Sequence, residues 1–363
     1  MFSRTDHEMM ARALRLAERG RFSAHPNPRV GCVIARNDKL LAEGWHVRTG
    51  EAHAEINALN SVGNAEGATV YVTFEPCAHR GRTAPCVDAL VSASLSRVVV
   101  AMRDPNPLVA GKGITVLRQA GITVEEGLLT DDAAAINAGF IKRMTLKRPR
   151  VMLKIAISID GRTSLADGSS QWITGDAARE DAHRLRAECG AVLTGCGTVI
   201  KDNPSLNVRL PGDWIQPVRV IVDSRLSVSV QAKLFELPGQ TIIFTTGTAN
   251  MKQKALLQNN QVDVQTVKEV EGRCDLNAVL QVLGEREIND LLVEAGPTLA
   301  GALLQQKLVD ECVVYIAPHL LGNKANPLAL LPSLGCMEDR LKFYFTDIRR
   351  VGGDLRIQMS PCT

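Results

Sequence analysis

The sequence predicts two α/β domains joined by a short basic linker, and three observations support this prediction. The chain has 363 residues, a length that suits about two ordinary domains. Its composition, with 45% hydrophobic and 22% charged residues, is typical of a globular protein. Strand-like and helix-like segments alternate up to the basic stretch LKRPR at 146–150, and the alternation then begins again. We therefore expect domains at residues 1–146 and 151–363, with a linker at 147–150.

The first half predicts a helix followed by alternating strands and helices. Thr5 and Glu8 have the spacing of a capping box, an apolar stripe follows them, and Gly20 is a stop signal. Asn37-Asp38 separates two strand-like runs and predicts a hairpin. The expected strands lie at 30–35, 40–47, 68–74, 97–102 and 122–127, and the expected helices open near residues 53 and 85 and span 131–144. This pattern predicts an α/β layer sandwich.

The second half predicts another α/β domain. Its expected strands lie at 152–158, 191–195, 218–224, 241–246, 290–296, 312–318 and 354–360, and a helix is expected at 178–189. The two halves show no internal repeat, which indicates two activities or one activity with a regulator.

The composition also excludes several classes of protein. No apolar run approaches the roughly 18 residues of a membrane span, and the start MFSRTDHEMM lacks a signal segment, so we expect a cytoplasmic protein. Nine cysteines without framework spacing predict reduced thiols. The net charge is +3 and no block of like charges occurs, which argues against nucleic-acid binding.

Four residues of the first half predict a catalytic zinc site. His53 and Glu55 form a His-x-Glu pair at a helix start, and Cys77 and Cys86 share one Gly/Pro-rich loop. A catalytic zinc ion takes three protein ligands and keeps one position for water, so His53, Cys77 and Cys86 are the expected ligands. Glu55 is too close to His53 to be a fourth ligand without strain, but it suits a proton carrier between water and a leaving amine.

The pattern alone leaves other interpretations of these residues open. A His-x-Glu pair is common, and two cysteines nine residues apart also suit a structural zinc half-site or simple packing. Zinc deaminases combine His-x-Glu with Pro-Cys-x-x-Cys, whereas this chain has Cys-x8-Cys. If His79 supplied a fourth ligand, no position would remain for water and the site would be structural.

Four motifs of the first half closely resemble the deaminase half of the bifunctional riboflavin biosynthesis deaminase–reductases. They are HPNPRVGCV (25–33), GEAHAE (50–55), EPCAHRGRTAPC (75–86) and DPNPLVAGKG (104–113). In that family the Cys-x8-Cys loop is normal. The resemblance implies a cytidine-deaminase-like α/β/α sandwich with one Zn²⁺. It also implies that Asn27, His46 and Arg82 contact the pyrimidine nucleotide, with Arg82 on its 5′-phosphate, where an arginine offers several donors.

The second half lacks the fingerprint of an ordinary dinucleotide-binding fold, because Gly195-Cys196-Gly197 has no third glycine at the required spacing. Another phosphate cradle is available in VEAGPTLAGALL, 293–304. After the strand ends at Glu294, Gly296 and Pro297 open a helix whose free amides suit an anion. Many α/β turns share this pattern, so the cradle alone is only suggestive.

Five motifs of the second half resemble the reductase half of the same family, so the resemblance covers nearly the whole chain. They are LKIAISIDGRTS (153–164), SQWITG (170–175), GTVIKDNPSLNVR (197–209), IVDS (221–224) and VEAGPTLAGALL. The resemblance implies a dihydrofolate-reductase-like α/β domain that binds NADPH. The implied NADPH-site residues are Ala156, Trp172, Thr198, Asp202, Ser224, Gly296, Pro297, Thr298, Leu299, Ala300, Gly301 and Ala302. The implied substrate-site residues are Ser170, Arg186, Leu206, Arg209 and Glu294, of which the two arginines suit a sugar phosphate.

Three polar residues are candidates for assisting the hydride step. Lys154 lies in an otherwise apolar strand, and Asp202 and Glu294 also stand where polar groups handle protons. The sequence does not decide among them. Hydride transfer itself belongs to the cofactor, so the protein must mainly place the nicotinamide against the sugar carbon.

The expected function is therefore two consecutive steps of riboflavin biosynthesis. The first is zinc-dependent hydrolytic deamination of 2,5-diamino-6-ribosylamino-4(3H)-pyrimidinone 5′-phosphate. The second is NADPH-dependent reduction of the ribosyl group, which gives 5-amino-6-ribitylaminouracil 5′-phosphate. The resemblance also favours a homodimer that acts on a small molecule, without nucleic-acid or membrane partners.

Two alternatives predict different features. A cytidine or tRNA-adenosine deaminase fused to an unrelated reductase predicts a basic surface or a Cys-x-x-Cys loop, and neither occurs in the sequence. A structural-zinc binding module with an inactive reductase-like partner predicts a fourth protein ligand, for which His79 is the obvious candidate.

Overall fold

The computed structural model describes residues 1–78, 85–106 and 109–362. The chain divides into two compact units, Met1–Lys147 and Arg148–Thr363. None of the helices in the described ranges is both long and apolar enough to cross a bilayer.

The first unit is an α/β/α sandwich built on a five-stranded sheet. Its elements are α1 (Arg4–Glu18), β1 (Gly31–Arg36), β2 (Lys39–Trp45), α2 (Ala54–Asn60), β3 (Thr69–Val72), α3 (Cys86–Ser92), β4 (Arg97–Val100), α4 (Lys112–Gln119), β5 (Thr123–Glu126), α5 (Thr130–Ile136) and α6 (Ala138–Leu146). The strand order is β2-β1-β3-β4-β5, with β1 antiparallel to both neighbours and β3, β4 and β5 parallel. This arrangement confirms the predicted layer sandwich.

Alternating strand residues build a core on each face of this sheet, as the period of two requires. Cys32 and Ile34 of β1 face the cluster that includes α2, α3 and α4, whereas Val33 and Ala35 face the cluster that includes α1 and α5. The hairpin between β1 and β2 is confirmed, with both Asn37 and Asp38 in the left-handed region. All three helices that surround the zinc-ligand candidates thus pack on one face.

Two local predictions in the first unit are wrong in detail. The capping box of α1 uses Ser3 and Asp6 instead of Thr5 and Glu8, because the Ser3 side chain accepts from the Asp6 N–H (3.1 Å) and the Asp6 carboxylate accepts from the Ser3 N–H (2.8 Å). The helix expected at 131–144 is two helices that break at Asn137. The buried Asn137 side chain bonds the backbone N–H and C=O of Arg29, so it holds the loop before β1.

The second unit is built on a nine-stranded sheet. Its elements are β6 (Arg150–Ser158), β7 (Arg162–Ser164), α7 (Asp176–Glu188), β8 (Ala191–Gly195), α8 (Cys196–Asp202), β9 (Val218–Val222), β10 (Thr241–Thr245), α9 (Met251–Leu257), β11 (Val262–Thr266), β12 (Glu269–Val270), β13 (Arg273–Cys274), α10 (Leu276–Glu285), β14 (Asp290–Val293), α11 (Pro297–Gln305), β15 (Glu311–Ala317), β16 (Asn326–Pro327), β17 (Phe343–Val351) and β18 (Asp354–Pro361). The order of the large sheet is β11-β10-β9-β8-β14-β6-β15-β18-β17.

The strands from β11 to β15 in this order are parallel, and β18 and β17 add an antiparallel edge. Helices α10 and α11 cover one face, and α7 packs on the other. Because β8, β9 and β14 are parallel, the residues that follow them meet at one edge of the sheet, where ligands of open α/β sheets bind.

Candidate active sites in the two units

The three predicted metal ligands of the first unit converge on one point. His53 Nδ1 lies 3.5 Å from Cys77 Sγ and 3.2 Å from Cys86 Sγ, and all three ligand atoms lie within 4.8 Å of one another. One imidazole nitrogen and two sulfurs at this separation are a donor set that suits zinc, and no fourth protein ligand joins them among the residues that the structure describes. Within the described residues, this trio is the group with metal-ligating geometry.

Two of the three ligand candidates are held at helix starts, and Cys77 lies in the loop that follows β3. His53 is the N-cap residue of α2, and Cys86 is the first residue of α3. The backbone N–H of Cys86 donates to Cys77 Sγ (3.3 Å). Hydrogen bonds from the Cys86 side chain and backbone lower the pKa of the Cys77 thiol well below its usual value, to about 4. The site therefore favours the thiolate form of Cys77, the form that a metal requires, whereas the hydrogen bond with Cys77 and burial raise the pKa of the Cys86 thiol.

A buried carboxylate anchors the strand end that leads to Cys77. Glu75 accepts N–H groups from Asp104 (3.2 Å) and Gly111 (2.9 Å) at one oxygen and from Gly113 (2.9 Å) at the other. A Cβ on Gly113 would lie 2.0 Å from the Pro76 carbonyl oxygen, so the start of α4 packs directly against this strand end. Glu75 was not among the predicted site residues, although an acidic residue directly after the strand predicted at 68–74 was a usable signal.

Glu55 is suited to hold a proton beside the ligand trio. It lies in the first turn of α2 and is only 3% exposed. Burial raises the pKa of its carboxyl group to about 7, although the neighbouring His53 charge opposes this shift. A carboxyl group with this pKa exchanges a proton readily at neutral pH.

Two of the three residues predicted to contact the pyrimidine, Asn27 and His46, lie close together. Asn27 Nδ2 donates to His46 Nε2 (3.1 Å), and His46 Nδ1 donates to the carbonyl of Ala52 (3.2 Å). The His46 ring packs edge-on against the His53 ring, with centroids 5.3 Å apart, so both residues adjoin the ligand trio. Arg82 and His79 lie outside the described residues.

The second unit contains a cleft of about 2080 Å³ at the carboxyl ends of its parallel strands. Most residues predicted for the NADPH and substrate sites line it, namely Lys154, Ala156, Ser170, Trp172, Arg186, Thr198, Asp202, Leu206, Arg209, Ser224, Glu294, Gly296, Pro297, Thr298, Leu299 and Ala302. Ala300 and Gly301 do not line it. They face the other side of α11, where a Cβ on Gly301 would lie 2.0 Å from the Leu330 carbonyl oxygen.

The cleft has the features of a phosphate cradle where α8 and α11 begin. Gly296 is the N-cap of α11 and Pro297 follows it, as predicted. A Cβ on Gly296 would lie 3.7 Å from Thr198 Oγ1, so the start of α11 closely approaches the first turn of α8. Glycine thus leaves room for a ligand to approach the free backbone amides. Further along the sheet, Ser224 Oγ accepts from the Cys274 N–H (2.9 Å), which fixes that hydroxyl beside the cleft.

Glu294 is the centre of a charged group that lies deeper in the cleft. Arg186 donates to both of its carboxylate oxygens, at 2.5 and 2.9 Å, and Lys154 Nζ lies 3.7 Å from Oε2. Burial opposes ionisation of Glu294, but the charges of Arg186 and Lys154 outweigh it and lower the pKa of Glu294 to about 2. Burial lowers the pKa of Lys154. Glu294 is therefore an ionised acceptor, and Lys154 is the group with a proton to give.

The two arginines that were predicted to bind the phosphate differ in their exposure and in their hydrogen-bond partners. Arg186 is committed to protein acceptors, because it binds Glu294 and also donates to the Asn207 carbonyl (3.1 Å). Arg209 is exposed and donates to Asn207 Oδ1 (2.8 Å). The pairing of Arg186 with Glu294 joins residues that are 108 positions apart, so spacing along the sequence gave no signal for it.

Comparisons with known proteins match both units. Residues 149–357 match the family model described as the RibD C-terminal domain, and residues 3–102 match that of the cytidine and deoxycytidylate deaminase zinc-binding region. The riboflavin biosynthesis protein RibD of Escherichia coli is 46% identical over 367 residues, covering 98% of this chain and 99% of that protein. The corresponding protein of Haemophilus influenzae is 42% identical over 379 residues, covering 99% and 98%.

Solved structures agree with these matches. RibD of Acinetobacter baumannii superposes with a TM-score of 0.91 at 43% identity, covering 99% of both chains. The diaminohydroxyphosphoribosylaminopyrimidine deaminase/5-amino-6-(5-phosphoribosylamino)uracil reductase of Thermotoga maritima gives a TM-score of 0.88 at 33% identity, again covering 99% of both chains. The similarity therefore extends over the full length of the chain.

Proposed function

The chain belongs to the family of bifunctional riboflavin biosynthesis proteins, and on this premise we propose how its residues divide the two reactions. The protein is a zinc-dependent pyrimidine deaminase and an NADPH-dependent reductase. It deaminates 2,5-diamino-6-ribosylamino-4(3H)-pyrimidinone 5′-phosphate and then reduces the ribosyl group. In our proposal, residues 1–146 form the deaminase, residues 151–363 form the reductase, and 147–150 link them.

The convergence of His53, Cys77 and Cys86 beside a buried Glu55 is the observation that carries the deaminase assignment. In our proposal the three residues hold the zinc ion, which supplies Lewis acidity to a water molecule at neutral pH. Glu55 takes the proton from the attacking water at a carboxylate oxygen and delivers it to the amine as ammonia leaves. Asn27 and His46 orient the pyrimidine, and Arg82 binds the 5′-phosphate.

Product masses from the diaminopyrimidine substrate test this assignment. Without NADPH, the wild-type protein should yield the deaminated compound, and with NADPH it should yield the deaminated and reduced one. Glu55→Gln should slow deamination by about 10²- to 10⁴-fold, because the proton carrier is lost, while zinc content stays at the wild-type level. The exposed Glu66→Gln in the same unit is the matched control and should behave as wild type.

Two outcomes of this experiment would contradict the proposal. Retained deamination in Glu55→Gln would remove its assigned role. Unchanged substrate in every reaction with zinc bound would favour the structural-zinc module. That alternative and the fusion of a nucleoside or tRNA deaminase to an unrelated reductase are not favoured, because full-length relatives match both halves of the chain.

We propose that the reductase binds NADPH, which supplies the hydride, through Ala156, Trp172, Thr198, Asp202, Ser224 and the cleft-lining residues at the start of α11, namely Gly296, Pro297, Thr298, Leu299 and Ala302. Ser170, Leu206, Arg209 and Glu294 face the substrate, and Arg186 holds Glu294 ionised. The reduction consumes a hydride at the first ribosyl carbon and one proton. Lys154 is our candidate for the donor of that proton to the ring oxygen as the sugar opens, because its partly buried ammonium lies next to an acceptor that stays ionised.

We further propose that two copies of the chain associate through the second unit. Strand β17 ends the nine-stranded sheet, and both of its faces are largely exposed. Tyr344, Phe345 and Ile348 are 56%, 64% and 53% exposed, which is unusual for adjacent large apolar side chains on an edge strand. A second copy that covered this strand would remove them from water.

We also propose that the protein works in the reducing cytoplasm. All nine cysteines are free thiols, and four of them lie within the two sites or beside them, namely Cys77, Cys86, Cys196 and Cys274. An oxidising compartment would convert the ligand thiols to forms that do not bind zinc.

A further inference from the structure

His183 is a residue of the reductase cleft to which neither the sequence motifs nor the proposed mechanism gives a role. It lies on α7 three residues before Arg186, so the two side chains share one face of the helix. The side chain is half-buried and lines the cleft. This spacing was the signal in the sequence from which it could have been found.

The two close contacts of the His183 ring fix its tautomer. The backbone N–H of Arg209 donates to Nδ1 (3.4 Å), and Arg186 Nη1 also faces Nδ1 (3.4 Å). An imidazole nitrogen that accepts cannot carry the hydrogen, so Nε2 carries it. Burial lowers the pKa of His183 to about 4, and the charges of Arg186 and Arg209 add to this shift, whereas Glu294 and the Asn207 carbonyl oppose it. His183 is therefore a neutral Nε2–H donor at pH 7.

The charge around His183 suits a phosphate. Lys154, Arg186 and Arg209 are three cations around the single carboxylate of Glu294, which leaves a net charge of +2. The three guanidinium nitrogens of Arg186 all have protein acceptors, so it has little left for a ligand. A phosphate at this place must draw on Arg209 and on another donor next to it.

We propose that His183 binds the substrate of the reductase by donating its Nε2–H to the 5′-phosphate, next to the guanidinium of Arg209. This inference rests on the proposed reductase function of the second unit. It assigns His183 to ground-state binding, with Nδ1 serving to orient the ring and Nε2 making the contact. The phosphate binds between a charged and a neutral donor, and no proton moves.

Two substitutions at His183 distinguish the role of Nε2 from the role of Nδ1. In His183→Gln the side-chain amide reaches the position of Nε2 and keeps a donor there, whereas in His183→Asn the amide reaches only the position of Nδ1. Calorimetric titration of the full-length protein without NADPH would measure the dissociation constant of 5-amino-6-ribitylaminouracil 5′-phosphate and of its dephosphorylated form. NADPH binding and the deamination rate serve as folding controls, since neither involves His183.

We expect His183→Asn to weaken binding of the phosphorylated ligand about 10-fold or more, the effect of one hydrogen bond to a charged group. His183→Gln should stay within about two-fold of wild type, and the three proteins should bind the dephosphorylated ligand equally. The proposal is overturned if His183→Asn binds the phosphorylated ligand as wild type does, if His183→Gln is the weaker variant, or if both ligands weaken alike. A failure of wild-type protein to reduce substrate with NADPH would instead contradict the proposed function.

Discussion

Lys154 shows how one residue's chemistry is set by its neighbours. Glu294 keeps its charge because Arg186 and Lys154 outweigh the effect of burial, so a proton for the reduction must come from elsewhere. Lys154 is itself partly buried, 3.7 Å from that carboxylate, and desolvation lowers its pKa. A lysine with a lowered pKa gives up its proton more easily than an exposed one.

Lys154→Met should lower the reductase kcat by about 10²- to 10⁴-fold, because the proton donor is lost. The wild-type kcat should fall as pH rises through the pKa of Lys154, since only the ammonium form donates. Burial places this fall below the value of about 10.4 for an ordinary lysine. Stopped-flow NADPH oxidation across pH measures both effects.

The exposed Lys307→Met is the matched control in the same unit and should keep the wild-type kcat and pH profile. Deamination should be unchanged in both variants, because Lys154 lies outside the deaminase. A Lys154→Met protein with wild-type kcat and the same alkaline decline would show that another group supplies the proton.

At the scale of elements, the proposed zinc site depends on a contact between the start of α4 and the loop that follows β3. Glu75 accepts backbone N–H groups at the start of α4, and Gly113 has no room for a side chain against the Pro76 carbonyl. The next residue after Pro76 is the ligand Cys77. A displacement of α4 is therefore transmitted to the position of one ligand.

Gly113→Ala should cost about 1–3 kcal/mol of local stability, because its Cβ would overlap the Pro76 oxygen. The strand end must shift, so we expect faster transfer of zinc to a chromogenic chelator and a matching loss of deamination. Reduction of the deaminated substrate should be unaffected. Gly63→Ala is the control, since its Cβ would have no neighbour within 4 Å and needs no unusual backbone. Equal zinc release from the two variants would contradict this coupling.

The strands that the sequence predicts well are continuous apolar runs that become buried on both faces of the sheet. The strands at β8 and β10 match the prediction to within one residue, since nearly all their residues are buried. Strand β17 was missed because it is exposed on both faces and shows no alternation. The capping box was misplaced by two residues because Ser3-x-x-Asp6 and Thr5-x-x-Glu8 are equally good patterns, and only the backbone geometry selects the first.

In the candidate sites too, residues set by local sequence patterns were predictable, whereas contacts that depend on the fold were not. The convergence of His53, Cys77 and Cys86 was predictable because zinc chemistry demands these residue types, and the role of Glu55 stays a prediction. Arg186 was expected at the substrate phosphate, but the fold gives it Glu294 as a bidentate partner from a distant strand. A pairing across the sheet depends on strand order, which local patterns do not specify. His183 was missed although its spacing of three residues from Arg186 on α7 was a usable signal, because only the fold places the Arg209 N–H against its Nδ1.

At the scale of the whole molecule, the chain combines two sites that need opposite electrostatics. The deaminase site places two thiols, an imidazole and a carboxyl group around one cation position. The reductase cleft gathers cations around one carboxylate, as a phosphorylated substrate and cofactor require. Each unit has its own sheet and core, so a substitution in one site should leave the chemistry of the other intact.

The proposed dimer is also a property of the whole molecule, and it predicts the effect of one charge on β17. Phe345→Lys places an ammonium among exposed apolar side chains, so a second copy that covered this strand would have to bury an unpaired charge. Sedimentation velocity should show twice the chain mass for wild type and the mass of one chain for the variant. Leu41→Lys is the matched control, because Leu41 is an exposed apolar residue on β2, the edge strand of the other sheet, and this variant should remain dimeric. A wild-type monomer, or a Phe345→Lys dimer, would exclude β17 as the interface.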